Sequence, residues 1–308
     1  VEKLDIIQEH VHTLRSPFIS SLTPDSVFPW KSSLSDDVDY PAFCQSFFTQ
    51  PDLFVRIRPG LEHIVTKKLN EHSILYQQVD DHCLAIKNAT TLDEIVEIEK
   101  EAVIQDRSSQ KIAEFLEPLR TDKRQKVWDC CAGSGGKSIL AGDVLGDIQL
   151  SVTDVRKSIL INLHKRLAKA GIREYQHWVM DLSAPFSTDT KPLKETFPAP
   201  FDLVIADVPC SGSGTWARTP EQLYFWEQNK IQSYLKLQEQ ITANIIPFVK
   251  PGGYLLYITC SVFKEENEMR VENLISQHHL RLIKMKIIDG YDHKADSMFA
   301  ALLQKNEG

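Results

Sequence analysis

Val127-Trp128-Asp129-Cys130-Cys131-Ala132-Gly133-Ser134-Gly135-Gly136-Lys137-Ser138 reads as a strand that runs into a glycine turn and then opens a helix. Val127 to Cys131 is strand-sized, and Ser138 to Val144 carries the helix. The same step repeats after it. Ile148 to Thr153 predicts a strand ending at Asp154, and Ser158 to Ala170 predicts a helix closed by Gly171. Tyr175 to Val179 predicts a strand ending at Asp181, Phe201 to Ala206 one ending at Asp207, and Tyr254 to Thr259 one ending at Cys260. Glu221 to Phe248 and Glu265 to Gln277 read as helices, and Leu280 to Ile288 and Ser297 to Gln304 as closing strands. Strands alternating with helices specify an α/β fold with a doubly wound sheet, whose ligands bind beyond the carboxyl ends of the strands.

Those ends hold the chemistry. A phosphate loop requires G-x-x-x-x-G-K-[ST], and its first glycine would fall on Cys131. A dinucleotide fingerprint, G-x-G-x-x-G, would place Ser138 at its last glycine. The third reading is a nucleoside site. Glycines let backbone approach a ligand closely, and a helix start offers free amides. Asp154 is placed to accept hydrogen bonds from ribose hydroxyls. That arrangement suits S-adenosylmethionine as well as a dinucleotide, and a glycine turn serving only its own geometry stays open.

Six cysteines, Cys44, Cys83, Cys130, Cys131, Cys210 and Cys260, include no C-x-x-C pair. No zinc ribbon or redox motif is expected, and no metal; the usage fits a reduced, cytoplasmic protein. Cys44, Cys83 and Cys130 read as small core residues. Cys210, inside Pro209-Cys210-Ser211-Gly212-Ser213-Gly214, is badly placed for a core. If the strands before Cys210 and Cys260 are neighbours, both thiols open into one cleft. A thiol beside a methyl donor has a chemical reason. Carbon 5 of a pyrimidine is too weak a nucleophile to take a methyl group unaided. Thiolate addition to carbon 6 makes it enamine-like, which divides one hard step into easier ones. An acid such as Asp207 near ring nitrogen 3 would stabilise the adduct. The proton at carbon 5 must then leave before the thiol does, and a second thiol could assist.

Taken together, these motifs resemble the Sun/Nol-type RNA cytosine-5 methyltransferases. The matching stretches are Asp129 to Ser138, Asp207-Val208-Pro209-Cys210-Ser211-Gly212, and Thr259-Cys260-Ser261-Val262 followed by Glu266-Asn267-Glu268. Gln105-Asp106-Arg107-Ser108-Ser109, Arg218-Thr219-Pro220 and Gln238 add to them, so the likeness covers about residues 53–305. It implies a Rossmann-like class I methyltransferase sheet, a small RRM-like α/β subdomain before it, and S-adenosylmethionine as cofactor. By motif match, Cys260 would be the nucleophile, Cys210 would assist breakdown of the adduct, and Asp207 would contact the base. Cys131, Ala132, Gly133, Ser134, Gly135, Gly136 and Lys137, with Asp154, Asp181 and Asp207, would hold the cofactor. The Glu266-Asn267-Glu268 stretch would orient the last motif. The substrate implied is cytosine in structured RNA, ribosomal or transfer. Two departures stand out: Ser134 replaces the proline usual in this loop, and Ala217 replaces a second arginine before Arg218.

Around this core, residues 121–308 read as the catalytic domain. Residues 53–120 read as the RNA-binding subdomain: Leu53 to Arg58 alternates as a strand, Leu61 to Asn70 carries a helix stripe, Cys83 to Ile86 is a strand, and Thr91-Leu92-Asp93-Glu94 opens a helix. Ser108 to Leu119 reads as a helix leading onward. Residues 1–52 read as an irregular extension with short helices at Asp5 to Leu14 and Pro41 to Phe48. Arg56, Arg58, Arg107 and Arg218 are the candidate RNA contacts, with Lys67 and Lys68 as lesser ones.

The net charge is −7, and the extension, with 3 basic and 8 acidic residues, carries most of the excess. No global basic field draws RNA in, so binding rests on few contacts or on a partner. No apolar run approaches the ~20 residues of a membrane span. Val1 to His10 lacks the apolar core of a secretory leader, and the missing initiator Met reads as a trimmed start. The core is ample for a monomer. Two rival functions remain: a methyltransferase acting on a protein or small molecule, which would not need both thiols, and a non-catalytic RNA-binding assembly factor. A nucleotide kinase fails on loop spacing.

Overall fold

The computed structural model describes residues 27–88, 90–184 and 197–307. The helix expected at Asp5 to Leu14 and most of the Pro- and Thr-rich stretch Ala184 to Pro200 lie outside the described residues. Among the described residues, no helix is long and apolar enough to cross a membrane.

The catalytic sheet is built from β5 (Gln125–Asp129), β6 (Ile148–Asp154), β7 (Tyr175–Val179), β8 (Phe201–Asp207), β9 (Val249–Thr259), β10 (Leu280–Ile288) and β11 (Met298–Lys305), in the order β10-β11-β9-β8-β5-β6-β7. The five strands from β9 to β7 run parallel, and β10 and β11 pair antiparallel. The chain steps outward from β5 in one direction through β6 and β7, and in the other through β8 and β9. The switch point therefore falls between β5 and β8, where a ligand crevice is expected.

Both faces are covered, so the central strands are continuous apolar runs. Successive side chains of β8 alternate: Val204 and Ala206 face one core with Trp128, Tyr257 and Ile245, and Leu203 and Ile205 face another with Val127, Leu140 and Phe115. Val204, Leu203 and Ile205, fully buried, each contribute about 1.5–3 kcal/mol. The covering helices are α5 (Gly136–Leu145), α6 (Lys157–Lys169), α8 (Ile231–Ile245) and α9 (Glu268–His278). The long helix expected from Glu221 breaks after α7 (Pro220–Tyr224). There Trp226 turns in against Trp216 and Phe263, which a continuous helix would not allow.

The preceding subdomain is a four-stranded antiparallel sheet, β2-β3-β1-β4, made of β1 (Leu53–Ile57), β2 (Tyr76–Gln78), β3 (Cys83–Ile86) and β4 (Ala102–Ile104). The three-residue strands β2 and β4 are too short to show a period in sequence. Helix α2 (Glu62–Glu71) covers one face through Val65 and Leu69. The helix expected from Thr91 does not form; Ile95, Val96 and Ile98 are β-branched, and the segment makes turns that bury Leu92 and Val96. The other sheet face is docked on the catalytic domain, with Phe54, Cys83 and Ala85 against Ala295. A sheet that reads RNA needs an open face carrying aromatic rings. On this one Phe54, Cys83 and Ala85 of the second face are buried, and β2 keeps Gln77 and Gln78 exposed.

Two further differences concern the connections. Ser108 to Leu119 divides into α3 (Arg107–Gln110), α4 (Ala113–Leu116) and a 3₁₀ turn at Pro118, and Phe115 and Leu116 join the core of the catalytic sheet. The described part of the extension is packed, with α1 (Tyr40–Ser46) close to the expected short helix. Phe28, Leu34, Phe43 and Cys44 form a core with Trp216, Val262, Phe263 and Tyr291.

Candidate active site

A cavity of about 660 Å³ opens at the switch point. Cys131, Ala132, Gly133, Ser134, Gly136, Lys137, Asp154, Asp181, Asp207, Cys210 and Cys260 all line it. Of the cofactor and catalytic candidates, only Gly135 stands back. At φ +88° it turns the chain into α5, and a Cβ there would come within 3.1 Å of Leu163. Gly133, at φ +52°, has open space where a Cβ would be. Its amide donates to Asp154 Oδ2 at 3.0 Å, which fixes the loop on the end of β6. Asp154 also accepts from the Arg156 backbone and guanidinium. Asp181 accepts from the side chain and amide of Ser183, which together lower its pKa.

Cys210 and Cys260 follow adjacent parallel strands and meet. The Cys260 amide donates to Cys210 Sγ at 3.2 Å. The side-chain contact with Cys260, and then burial, push the Cys210 thiol well above its usual pKa. Both loops hang on one buried carboxylate. Glu266 accepts from the Ser211 amide at 3.0 Å, from Ser211 Oγ at 2.5 Å and from Gln238 Nε2 at 2.9 Å. Gln238 also donates to the carbonyl of Pro209. Burial raises the Glu266 pKa against these hydrogen bonds. The hydroxyls of Ser211, Ser213 and Ser261 form a second tie, each 3.1–3.2 Å from the next.

Lys137 Nζ donates to Asp207 Oδ2 at 2.6 Å. Burial opposes the lysine charge, but Asp207 and the other acidic groups nearby outweigh it and raise its pKa. Asp129, wholly buried at the end of β5, accepts from Ser138 Oγ at 2.6 Å, while its other oxygen has no partner. Burial pushes its pKa up to about 7. Among the described residues, no three His, Cys, Asp or Glu side chains gather as a metal site.

The candidate RNA contacts lie elsewhere. Arg56 is buried and bonded to Asp143 at 2.6 Å and Gln105 at 2.9 Å, and Arg58 binds the same Asp143 at 2.6 Å. Both arginines join the subdomain to α5, and the one unpartnered donor, Arg56 Nη2, is buried. Arg218 bridges Asp106 at 3.0 Å and Asp296 at 3.2 Å, and Arg107 is half-buried in α3. Lys68 pairs with Glu101 and Lys67 with Glu71. Sequence reasoning missed Arg166, whose Nη1 donates to Ser134 Oγ at 2.7 Å and whose Nε donates to Glu99 at 2.6 Å. It also missed the serine tie. An arginine within an amphipathic helix, and serines scattered over two loops, carry no spacing signal.

The description of the 16S rRNA methyltransferase RsmB/F family matches residues 114–306, more than half of the chain. The chain belongs to this family. A probable ribosomal RNA small subunit methyltransferase B from Synechocystis is 32% identical over 57% of this chain and 37% of its own length. A ribosomal RNA small subunit methyltransferase B from Pasteurella multocida is 25% identical over 88% of this chain and 58% of its own. The chain thus spans well under two thirds of these relatives. In fold, NSun6 from Pyrococcus horikoshii, solved with SFG, aligns at a TM-score of 0.74 with 14% identity, covering 92% of this chain and 97% of that one. A methyltransferase homologue from the same organism aligns at 0.70 with 17% identity, covering 89% and 92%. The fold is that of class I methyltransferases, as the sequence implied.

Proposed function

We propose that this RsmB/F-family chain methylates carbon 5 of a cytosine in structured ribosomal RNA, using S-adenosylmethionine and a covalent bond from Cys260 to carbon 6. The observation that carries the reading is that Cys210 and Cys260 line one cavity with the glycine loop, the Cys260 amide 3.2 Å from Cys210 Sγ. The names of the relatives support ribosomal RNA as substrate. SFG, an S-adenosylmethionine analogue, bound to a neighbour of the same fold, supports the cofactor.

The residues present fit that cofactor. Asp129, one of whose oxygens has no partner, lines the cavity, the open face of Gly133 admits a ligand against backbone, and ribose hydroxyls would displace the exposed Arg156 guanidinium from Asp154. When bound, S-adenosylmethionine supplies an electrophilic methyl group. The chain supplies the rest. Cys260 adds to carbon 6, and negative charge moves towards nitrogen 3 and carbon 5. The Lys137–Asp207 pair provides the acidic group for nitrogen 3. After transfer, a base takes the proton from carbon 5, the electrons of that bond reform the 5,6 double bond, and Cys260 Sγ leaves as thiolate. Cys210, beside Cys260, assists that release. A cytosine within a helix must first be flipped out, at a cost of a few kcal/mol.

The test is an adduct assay with labelled S-adenosylmethionine and ribosomal RNA, with transfer RNA in parallel. Cys210→Ala is expected to trap an RNA complex that survives denaturant, and Cys260→Ala to trap none. Methyl transfer that continues in Cys260→Ala would sink the covalent route. Label appearing in protein or small molecules instead of RNA would sink the substrate class.

A further inference from the structure

We infer that the N-terminal segment around Ser35 is part of the catalytic apparatus, with Ser35 a positioning residue that acts through Asn267 on the Cys260 loop. The inference rests on the proposed role of Cys260. Its geometry begins in the backbone. The Ser35 amide donates to the Val262 carbonyl at 2.9 Å, and the Lys264 amide donates to Ser33 at 2.9 Å. Leu34 pairs with Phe263 as an antiparallel bridge. The segment, a 3₁₀ turn over Lys31–Ser33 followed by the bridge at Leu34, thus lies along the chain that leaves Cys260.

The side chains continue the link. Asn267 is fully buried and grips both neighbours of Cys260. Its Oδ1 accepts from Thr259 Oγ1 at 2.6 Å, and its Nδ2 donates to the Ser261 carbonyl at 2.9 Å. The remaining Nδ2 hydrogen goes to Ser35 Oγ at 3.1 Å, and Ser35 Oγ in turn donates to Glu268 at 2.9 Å. Ser35 is 1% exposed, so water cannot replace it without rearrangement. Its hydroxyl orients the amide that sets the peptides on either side of the thiol. A buried donor left unpaired costs far more than the bond itself contributes, so the amide would turn away and the loop with it.

The same segment also fastens the other thiol loop. Phe28 and Phe43 pack in the cluster that holds Trp216, and Trp216 Nε1 donates to the Ser211 carbonyl beside Cys210 at 3.3 Å. One piece of chain thus braces both thiols from behind, remote from the cavity.

The test compares wild type, Ser35→Ala, Ser35→Thr, Asn267→Ala and the double variant Ser35→Ala/Asn267→Ala. Ser35→Ala is expected to lower kcat about tenfold, since small misplacements of a reacting group are costly. The KM for S-adenosylmethionine should not change, and Ser35→Thr, which keeps the hydroxyl, should recover most of the loss. The double variant should be little worse than Asn267→Ala, because the two act as one unit. Alkylation of Cys260 by iodoacetamide provides a readout independent of turnover, and Ser35→Ala should speed it several-fold. Wild-type kcat and alkylation in Ser35→Ala overturn the inference, even if its melting temperature falls. If wild type methylates no RNA, the proposed function fails, while the alkylation rates still decide the role of Ser35.

Discussion

The amide of Cys260 donates to the sulfur of Cys210 across 3.2 Å, joining the ends of two neighbouring parallel strands. That contact brings the two side chains together, with a consequence for reactivity. The Cys260 side chain, and then burial, hold the Cys210 thiol protonated far above the ordinary cysteine range. Thiolate, not thiol, attacks alkylating reagents. Cys210 should therefore resist iodoacetamide at pH 7 and yield only in strongly alkaline solution. Timed labelling followed by peptide mass spectrometry reads this directly. Labelling of Cys210 at pH 7 as fast as a free model thiol would contradict the arrangement.

Arg166 spans from the subdomain to the cofactor loop, taking Glu99 on one side and Ser134 on the other. Where relatives of the resembled type have a rigid proline, this chain has a serine held by an arginine. Arg166→Ala should loosen the loop and weaken S-adenosylmethionine binding about tenfold, or about 1.4 kcal/mol. Arg166→Lys should recover little, since an ammonium cannot reproduce the planar fork. Titration calorimetry on the three proteins checks it, and equal affinities would show that the loop needs no clamp.

Gly214 sits where the loop after Cys210 crosses behind Cys260. Its amide donates to the Cys260 carbonyl at 2.9 Å, and a Cβ would lie 2.0 Å from the Ser297 carbonyl oxygen. Both neighbours are backbone, so neither can turn aside. Gly214→Ala should cost about 3 kcal/mol. The fall in urea midpoint at constant slope gives the figure. A loss below half a kcal/mol would mean that the crossing opens easily.

The sheet was legible because its central strands β5, β6, β8 and β9 carry apolar runs that end at chemically distinctive residues, from Asp129 to Cys260. The cavity was legible for the same reason, since carboxyl ends of parallel strands converge whatever the side chains between them. Surface assignments were not legible. Arg56 in β1 and Arg58 just past its end alternate with apolar residues, as solvent-facing residues would, yet that face of the sheet is docked and they pair with Asp143. Sequence alternation reports which residues share a face, not what covers it. The packing of Phe28 and Phe43 on Trp216 was hidden for a related reason, because contacts across nearly 200 residues leave no local period.

Asp129 gives the structure a pH dependence that can be isolated. Its carboxyl is wholly buried, with one donor from Ser138, and burial raises its pKa from 3.8 to about 7. In the unfolded chain it ionises near pH 4. Between these values the folded protein binds a proton that the unfolded chain has released, so stability falls as pH rises. The contribution is complete below about pH 4 and is lost as pH passes through about 7. At 1.36 kcal/mol per pKa unit the swing is roughly 4 kcal/mol at most. Asp129→Asn keeps an acceptor for Ser138 and cannot ionise. Other groups, including Asp296, whose pKa burial also raises to about 7, remain in both proteins and cancel in the difference. Urea unfolding at pH 4.5, 6 and 7.5 should show wild type losing stability relative to Asp129→Asn as pH rises. Parallel curves would place the ionised carboxylate comfortably in the fold, and a buried cation or water would then have to be its partner.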